Sequence, residues 1–134
     1  MRERLLRAGF PDDVVEGELT RLSAVRLLDD ERFAEDFTRS SVTYRKVGRR
    51  GVRAGLAAKG VAREAIEAAT ADLTEESEQV RADALAAARA PRVRGKERPA
   101  AFNSLAGFLM RRGYDPAVAR RAAARALTVE LEPD

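Results

Sequence analysis

Leu56-Ala57-Ala58-Lys59-Gly60-Val61 decides the fold of this chain, because the chain says it three times. Leu5-Leu6-Arg7-Ala8-Gly9-Phe10 comes before it and Leu109-Met110-Arg111-Arg112-Gly113-Tyr114 after it. In each copy a leucine stands four residues before a glycine, and an apolar residue follows that glycine. The glycines lie 51 and 53 residues apart, an internal period that points to stacked supersecondary units rather than one irregular globule. The phrase describes a helix stop. Glycine takes the left-handed conformation that a side chain makes costly, and the next apolar residue folds back on the helix just finished. The expected fold is all-α: tandem three-helix repeats forming an elongated, curved array of about eight helices in groups of three, three and two. The expected repeats are 1–47, 48–97 and 98–134.

Composition narrows the chemistry. The 134 residues suit a single domain that buries roughly two-thirds of its unfolded surface. Alanine, leucine, arginine and glutamate dominate, all strong helix formers. With no cysteine, disulfides and thiolate metal sites are excluded; with no histidine, the usual proton shuttle and commonest metal ligand are missing too. No apolar run is long enough for a signal peptide or a membrane span. The expectation is a soluble, cytoplasmic, monomeric protein, not an enzyme, with no cofactor and no metal site.

Net charge is +3, but its distribution says more. Residues 1–38 hold ten acids and six bases. Residues 39–63 hold eight bases and no acid: Arg39, Arg45, Lys46, Arg49, Arg50, Arg53, Lys59 and Arg63. Residues 64–85 hold seven acids against Arg81 alone, and residues 86–128 ten bases against Glu97 and Asp115. Alternating blocks predict distinct positive and negative faces.

Helix signals place the elements. A short helix over Met1–Ala8 precedes Gly9, and a second spans about Asp12 to Ser23 with Val14, Val15, Leu19 and Leu22 on one face. Asp29 reads as an N-cap, with Asp30 and Glu31 in the first turn and Leu28 and Phe33 at hydrophobic-staple spacing. That helix should reach toward Arg45 and carry a stripe of Phe33, Phe37 and Tyr44. Further helices are expected from Gly48 to Gly60, from about Arg63 to Leu73, and from Glu75 to about Arg89 with Val80, Ala84 and Ala88 aligned. Pro91 closes the last of these, and Thr74 caps its start. A loop over Pro91–Pro99 leads to a helix with Phe102, Leu105 and Leu109 on one face. Asp115-Pro116 then opens the final helix, which runs to about Leu127 before Thr128–Asp134 frays. Phe33, Phe37, Leu56 and Leu109 are assigned to core.

Three motifs invite a functional reading. The carboxylates around Asp29 lack a partner acid or phosphate cradle for catalysis, and fit a capped helix start. Gly55 to Gly60 has P-loop glycine spacing, but Val61 and Ala62 stand where lysine and a hydroxyl residue belong. Gly48-Arg49-Arg50-Gly51 has the form of a KH-domain clamp without the sheet that clamp requires. The acid-free block 39–63 remains the leading binding candidate, suited to several phosphates, with Arg111 and Arg112 a second set. Tyr44 is its sole aromatic, so base stacking is poorly supplied.

Leu27-Leu28-Asp29-Asp30-Glu31-Arg32-Phe33-Ala34-Glu35, followed by Arg39-Ser40 and a basic helix ending Ala58-Lys59-Gly60-Val61, resembles the RecX family of bacterial recombinase regulators. The Leu109–Tyr114 phrase is similar to the family's final repeat, and the resemblance covers essentially the whole chain. It implies a modular helical protein that binds the nucleoprotein filament of RecA on single-stranded DNA and inhibits its growth, ATPase, strand exchange and co-protease activities. Two departures stand out. The family usually carries a glycine just before Leu-Asp-Asp, where Arg26 stands nearby here, and it usually starts further upstream, so an incomplete first repeat is expected to leave Val14, Val15 and Leu19 less covered. The residues alone also fit two other classes: a free-standing DNA-binding module of helix-turn-helix type, or a salt-insensitive helical adaptor for another protein.

Overall fold

In a computed structural model of the chain, the backbone of residues 12–131 is described, with the side chains of 17, 19–22 and 24–128. Six α-helices and one 3-10 turn make up this span: α1 (Asp12–Thr43), α2 (Arg49–Ala58), α3 (Arg63–Ala69), α4 (Glu75–Arg89), the turn Ala90–Val93, α5 (Arg98–Arg111) and α6 (Pro116–Leu131). The all-α expectation holds among the described residues, and none of these helices is long and apolar enough to cross a membrane. The expected helix Met1–Ala8, the turn at Gly9 and the side chains of Val14 and Val15 lie outside the described residues. α6 continues past Leu127 to Leu131, and the fraying expected of the last three residues also lies outside them.

The repeated phrase does what its chemistry requires. At the end of α2, Gly60 has φ 78°, its N–H donates to the Ala57 carbonyl, and the Val61 N–H donates to the Leu56 carbonyl. At the end of α5, Gly113 has φ 92°, its N–H donates to Met110, and Tyr114 donates to Leu109. Both are Schellman motifs, in which the leucine carbonyl accepts from the apolar residue after the glycine. The spacing of the phrase is the spacing of that bond. Val61 and Tyr114 are accordingly buried, and Leu56 and Leu109 are fully so.

The helix count departs from expectation in one described place. The helices expected at 12–23 and 29–45 are one continuous α1 of 32 residues. Nothing between Ser23 and Leu28 breaks a helix, since Arg26 occupies the neighbourhood where a glycine would give a left-handed stop. Asp29 therefore does not cap a helix, and the Leu28–Phe33 staple does not form as an entry turn. Leu22, Val25, Leu27, Leu28 and Phe33 are exposed, which corrects the assignment of Phe33 to core. The buried edge of α1 is Ala34, Thr38 and Ser41, small residues that let α2 and α3 approach.

Two apolar clusters organise the packing. Ala34, Val52, Leu56, Val61, Ala65, Ile66 and Leu73 join α1, α2 and α3, with Phe37 partly buried against them. The second cluster joins α4, the 3-10 turn, α5 and α6 around Leu105, Leu109, Val118 and a group of alanines. Each fully buried leucine contributes about 2 kcal/mol. The clusters divide near residue 74, and the helix following each glycine packs back on earlier helices, α3 on α1 and α6 on α4 and α5. In α4 the buried line is Glu78, Ala82 and Ala86. Val80, Ala84 and Ala88, aligned as their spacing predicts, are exposed on another side.

Candidate nucleic-acid interface

Helix N-termini leave unsatisfied N–H groups and carry partial positive charge, so each needs an acceptor. Thr74 supplies one locally for α4, accepting from the Ser77 N–H at 3.1 Å as its position predicts. Gly48 and Ala62, the cap residues of α2 and α3, make no side-chain cap. Their acceptors come from other helices. Asp30 of α1 accepts from the Ala62 N–H at 3.3 Å, and Glu78 of α4, fully buried, accepts from the Arg49 N–H. Glu78 also takes the Arg81 guanidinium.

Around Glu78 the two clusters meet. The Gly48 N–H donates to the Arg112 carbonyl at 2.9 Å and the Gly51 N–H to the Gly113 carbonyl at 3.0 Å. A Cβ on Gly113 would fall 2.5 Å from the Gly51 Cα, so the backbones touch with no room for a side chain. The G-x-x-G sequence is thus half of a glycine–glycine joint between the start of α2 and the α5–α6 turn. Tyr114 is buried beside it. Burial pushes its hydroxyl pKa up and the Glu78 charge adds to this, while Arg81 and Arg112 oppose it, so the phenol is neutral at physiological pH.

This joint sorts the expected cations. Arg49 turns inward, donating to the Leu73 carbonyl at 3.1 Å and to the Asp115 carboxylate at 2.6 Å. Arg53 donates to the Thr70 hydroxyl at 3.1 Å. Arg39 lies 3.5 Å from Asp36 and Arg63 lies 3.3 Å from Glu67, both exposed pairs of small energetic weight. Arg45 donates to the Ser41 hydroxyl, and its guanidinium carbon lies 5.1 Å from the centre of the Phe37 ring. Lys59 reaches the same ring at 5.9 Å. Lys46, just past the end of α1, has φ 57°, left-handed without being glycine. Arg50, Lys46 and Lys59 are exposed and have no carboxylate partner among the described residues.

The joint also carries Arg111 and Arg112 next to the α2 N-terminus that bears Arg50. Both are exposed, and Arg112 lies 5.7 Å from the Phe108 ring centre. Arg89 lies 4.2 Å from that ring, a cation the sequence did not single out. The acidic block 64–85 is largely spent at home: Glu75 pairs with Arg121 and Asp83 with Arg125 across the α4–α6 contact. Unpaired positive charge therefore remains on the α1–α2 surface and the α5–α6 turn.

Glu78 and Asp30 are the positioning residues that sequence reasoning missed. Glu78 did leave a trace, standing four and eight residues before Ala82 and Ala86 in one register. Asp30 was read as filling the first turn of its own helix, when it serves another 32 residues away.

Residues 29–69 match the family model described as RecX, second three-helix domain. The chain is 37% identical over 123 residues to "Regulatory protein RecX" of Mycolicibacterium smegmatis, covering 89% of this chain and 65% of the relative. It is 33% identical over 130 residues to the protein of that name from Thermobifida fusca, covering 97% and 70%. The Streptomyces coelicolor protein of the same name is 33% identical over 132 residues, covering 98% and 70%. The chain thus spans about two-thirds of the length of these curated relatives. The crystal structure of RecX from Lactobacillus salivarius superposes with a TM-score of 0.70 over 95% of this chain and 82% of that one, at 17% identity. A shared helical architecture and this extent of identity lead to one conclusion: the chain belongs to the RecX family of regulatory proteins.

Proposed function

We propose that this protein is a non-enzymatic regulator that binds the RecA–single-stranded DNA filament in the cytoplasm, acting as a monomer, and inhibits filament growth, ATPase, strand exchange and co-protease activities. Tandem three-helix units present the extended surface that such a partner requires. The observation that carries the reading is the unpaired positive charge of Lys46, Arg50 and Lys59, with Arg111 and Arg112 joined to it by the glycine contact. Arginines and lysines exposed in this way meet phosphates and make binding salt-dependent. Arg49 supports the surface from within, and Arg39, Arg45, Arg53 and Arg63 extend it.

The deciding experiment titrates the protein into the single-stranded-DNA-dependent ATPase of RecA, beside binding to bare oligothymidylate. Inhibition at concentrations well below those that coat bare DNA supports filament-specific regulation. An unaffected ATPase with salt-sensitive binding to bare DNA would instead indicate a free-standing DNA-binding module.

A further inference from the structure

The face of α4 turned away from the buried Glu78 line carries a second apolar line. Val80, Ala84 and Ala88 follow one another at four-residue spacing and are all exposed, Val80 by 70%. Ala84 and Ala88 border a groove of 320 Å³, whose apolar lining is completed by Leu85 and by Val42 of α1. Lys46, Arg81 and Tyr114 line the rest. No carboxylate lines it, so the charge it presents is positive. Arg81 gives one nitrogen to Glu78, and its side chain is 25% exposed. The Lys46 ammonium has no partner among the described residues, and its left-handed backbone costs about 1 kcal/mol. Strain of this kind persists where surrounding structure holds it, often at functional sites.

We propose that this groove docks a short segment of a protein partner bearing a leucine-sized side chain beside a carboxylate. The apolar side chain displaces water from Val42, Ala84, Leu85 and Ala88, and the carboxylate takes donors from Lys46 and Arg81. A nucleic-acid strand gains little from so apolar a lining. A second copy of this chain is disfavoured as well, since a two-fold contact on this groove sets Lys46 and Arg81 against their own counterparts. The inference adds a peptide-binding groove to the filament reading and shares Lys46 with it; peptide binding and oligothymidylate binding, read side by side, tell the failure of one from the failure of the other.

The test is fluorescence anisotropy of the full chain with a fluorescein-labelled peptide of alternating leucine and glutamate. The same peptide with lysine for each glutamate is the charge control, and labelled oligothymidylate is titrated in parallel. Ala88→Glu places a carboxylate in the groove at an exposed position where glutamate favours helix. Ala84→Glu is the second variant, should the first fold poorly by circular dichroism. The acidic peptide should bind the wild type and weaken roughly tenfold in the variant, about 1.4 kcal/mol, while oligothymidylate affinity changes less than about twofold. Absent binding, equal binding of the lysine peptide, a variant that binds as wild type, or parallel loss of oligothymidylate would each overturn the proposal.

Discussion

Gly60 and Gly113 end two helices with the same pair of backbone hydrogen bonds, yet they have different neighbours. A Cβ on Gly60 would meet nothing within 4 Å, so that turn is only a stop. A Cβ on Gly113 would meet the Gly51 Cα at 2.5 Å and N at 2.7 Å, so that turn is also a joint. The same six-residue phrase therefore does two jobs, and what separates them lies more than fifty residues away in sequence, at Gly48 and Gly51. A local motif fixes local geometry; which copy bears load is decided by packing.

Gly113→Ala should produce the largest effect. It adds left-handed strain and also forces apart two touching backbones, for a loss of about 3 kcal/mol in urea unfolding. Glu78→Ala follows at about 2 kcal/mol, because it leaves the Arg49 N–H at the α2 terminus and the partly exposed Arg81 without their acceptor. Gly60→Ala brings backbone strain alone and should cost about 1 kcal/mol. Equal losses at Gly60 and Gly113 would erase the distinction between stop and joint.

These ranks also explain what the sequence made legible. The Schellman turns could be read because six consecutive residues contain the whole device. Thr74 and Asp115-Pro116 were readable for the same reason, as α4 and α6 start where those residues place them. The break expected at Asp29 failed because capping residues are permissive: aspartate at an exposed helix position is tolerated, and no glycine or proline enforces a stop there. Asp30 and Glu78 cap helices 32 and 29 residues away, a relation that no local pattern encodes. Which line of α4 faces the core could not be read, because alanine is so frequent that Ala82-Ala86 and Ala84-Ala88 have identical spacing. A buried glutamate with two donors decides between them, and that is a tertiary fact.

The smallest stability effect concerns the cations and is the sharpest division of labour. Arg49 and Arg50 are neighbours of one type in the acid-free block, and composition cannot separate them. Arg49 serves the joint, holding the Leu73 carbonyl and Asp115; Arg50 is exposed, with no carboxylate partner among the described residues. Replacing both Arg50 and Lys59 by glutamine should leave unfolding free energy within about 0.5 kcal/mol of the wild type. If each meets one phosphate, the slope of log affinity against log salt on oligothymidylate should fall by about 1.4. Arg49→Gln should do the reverse, lowering stability by about 1 kcal/mol through its lost hydrogen bonds, with little change in that slope. Salt titrations of the two variants, paired with urea unfolding, read both quantities on the same samples. A steep loss of salt dependence in Arg49→Gln would place that arginine on the binding surface, and would mean that the joint opens when the protein meets its polyanion.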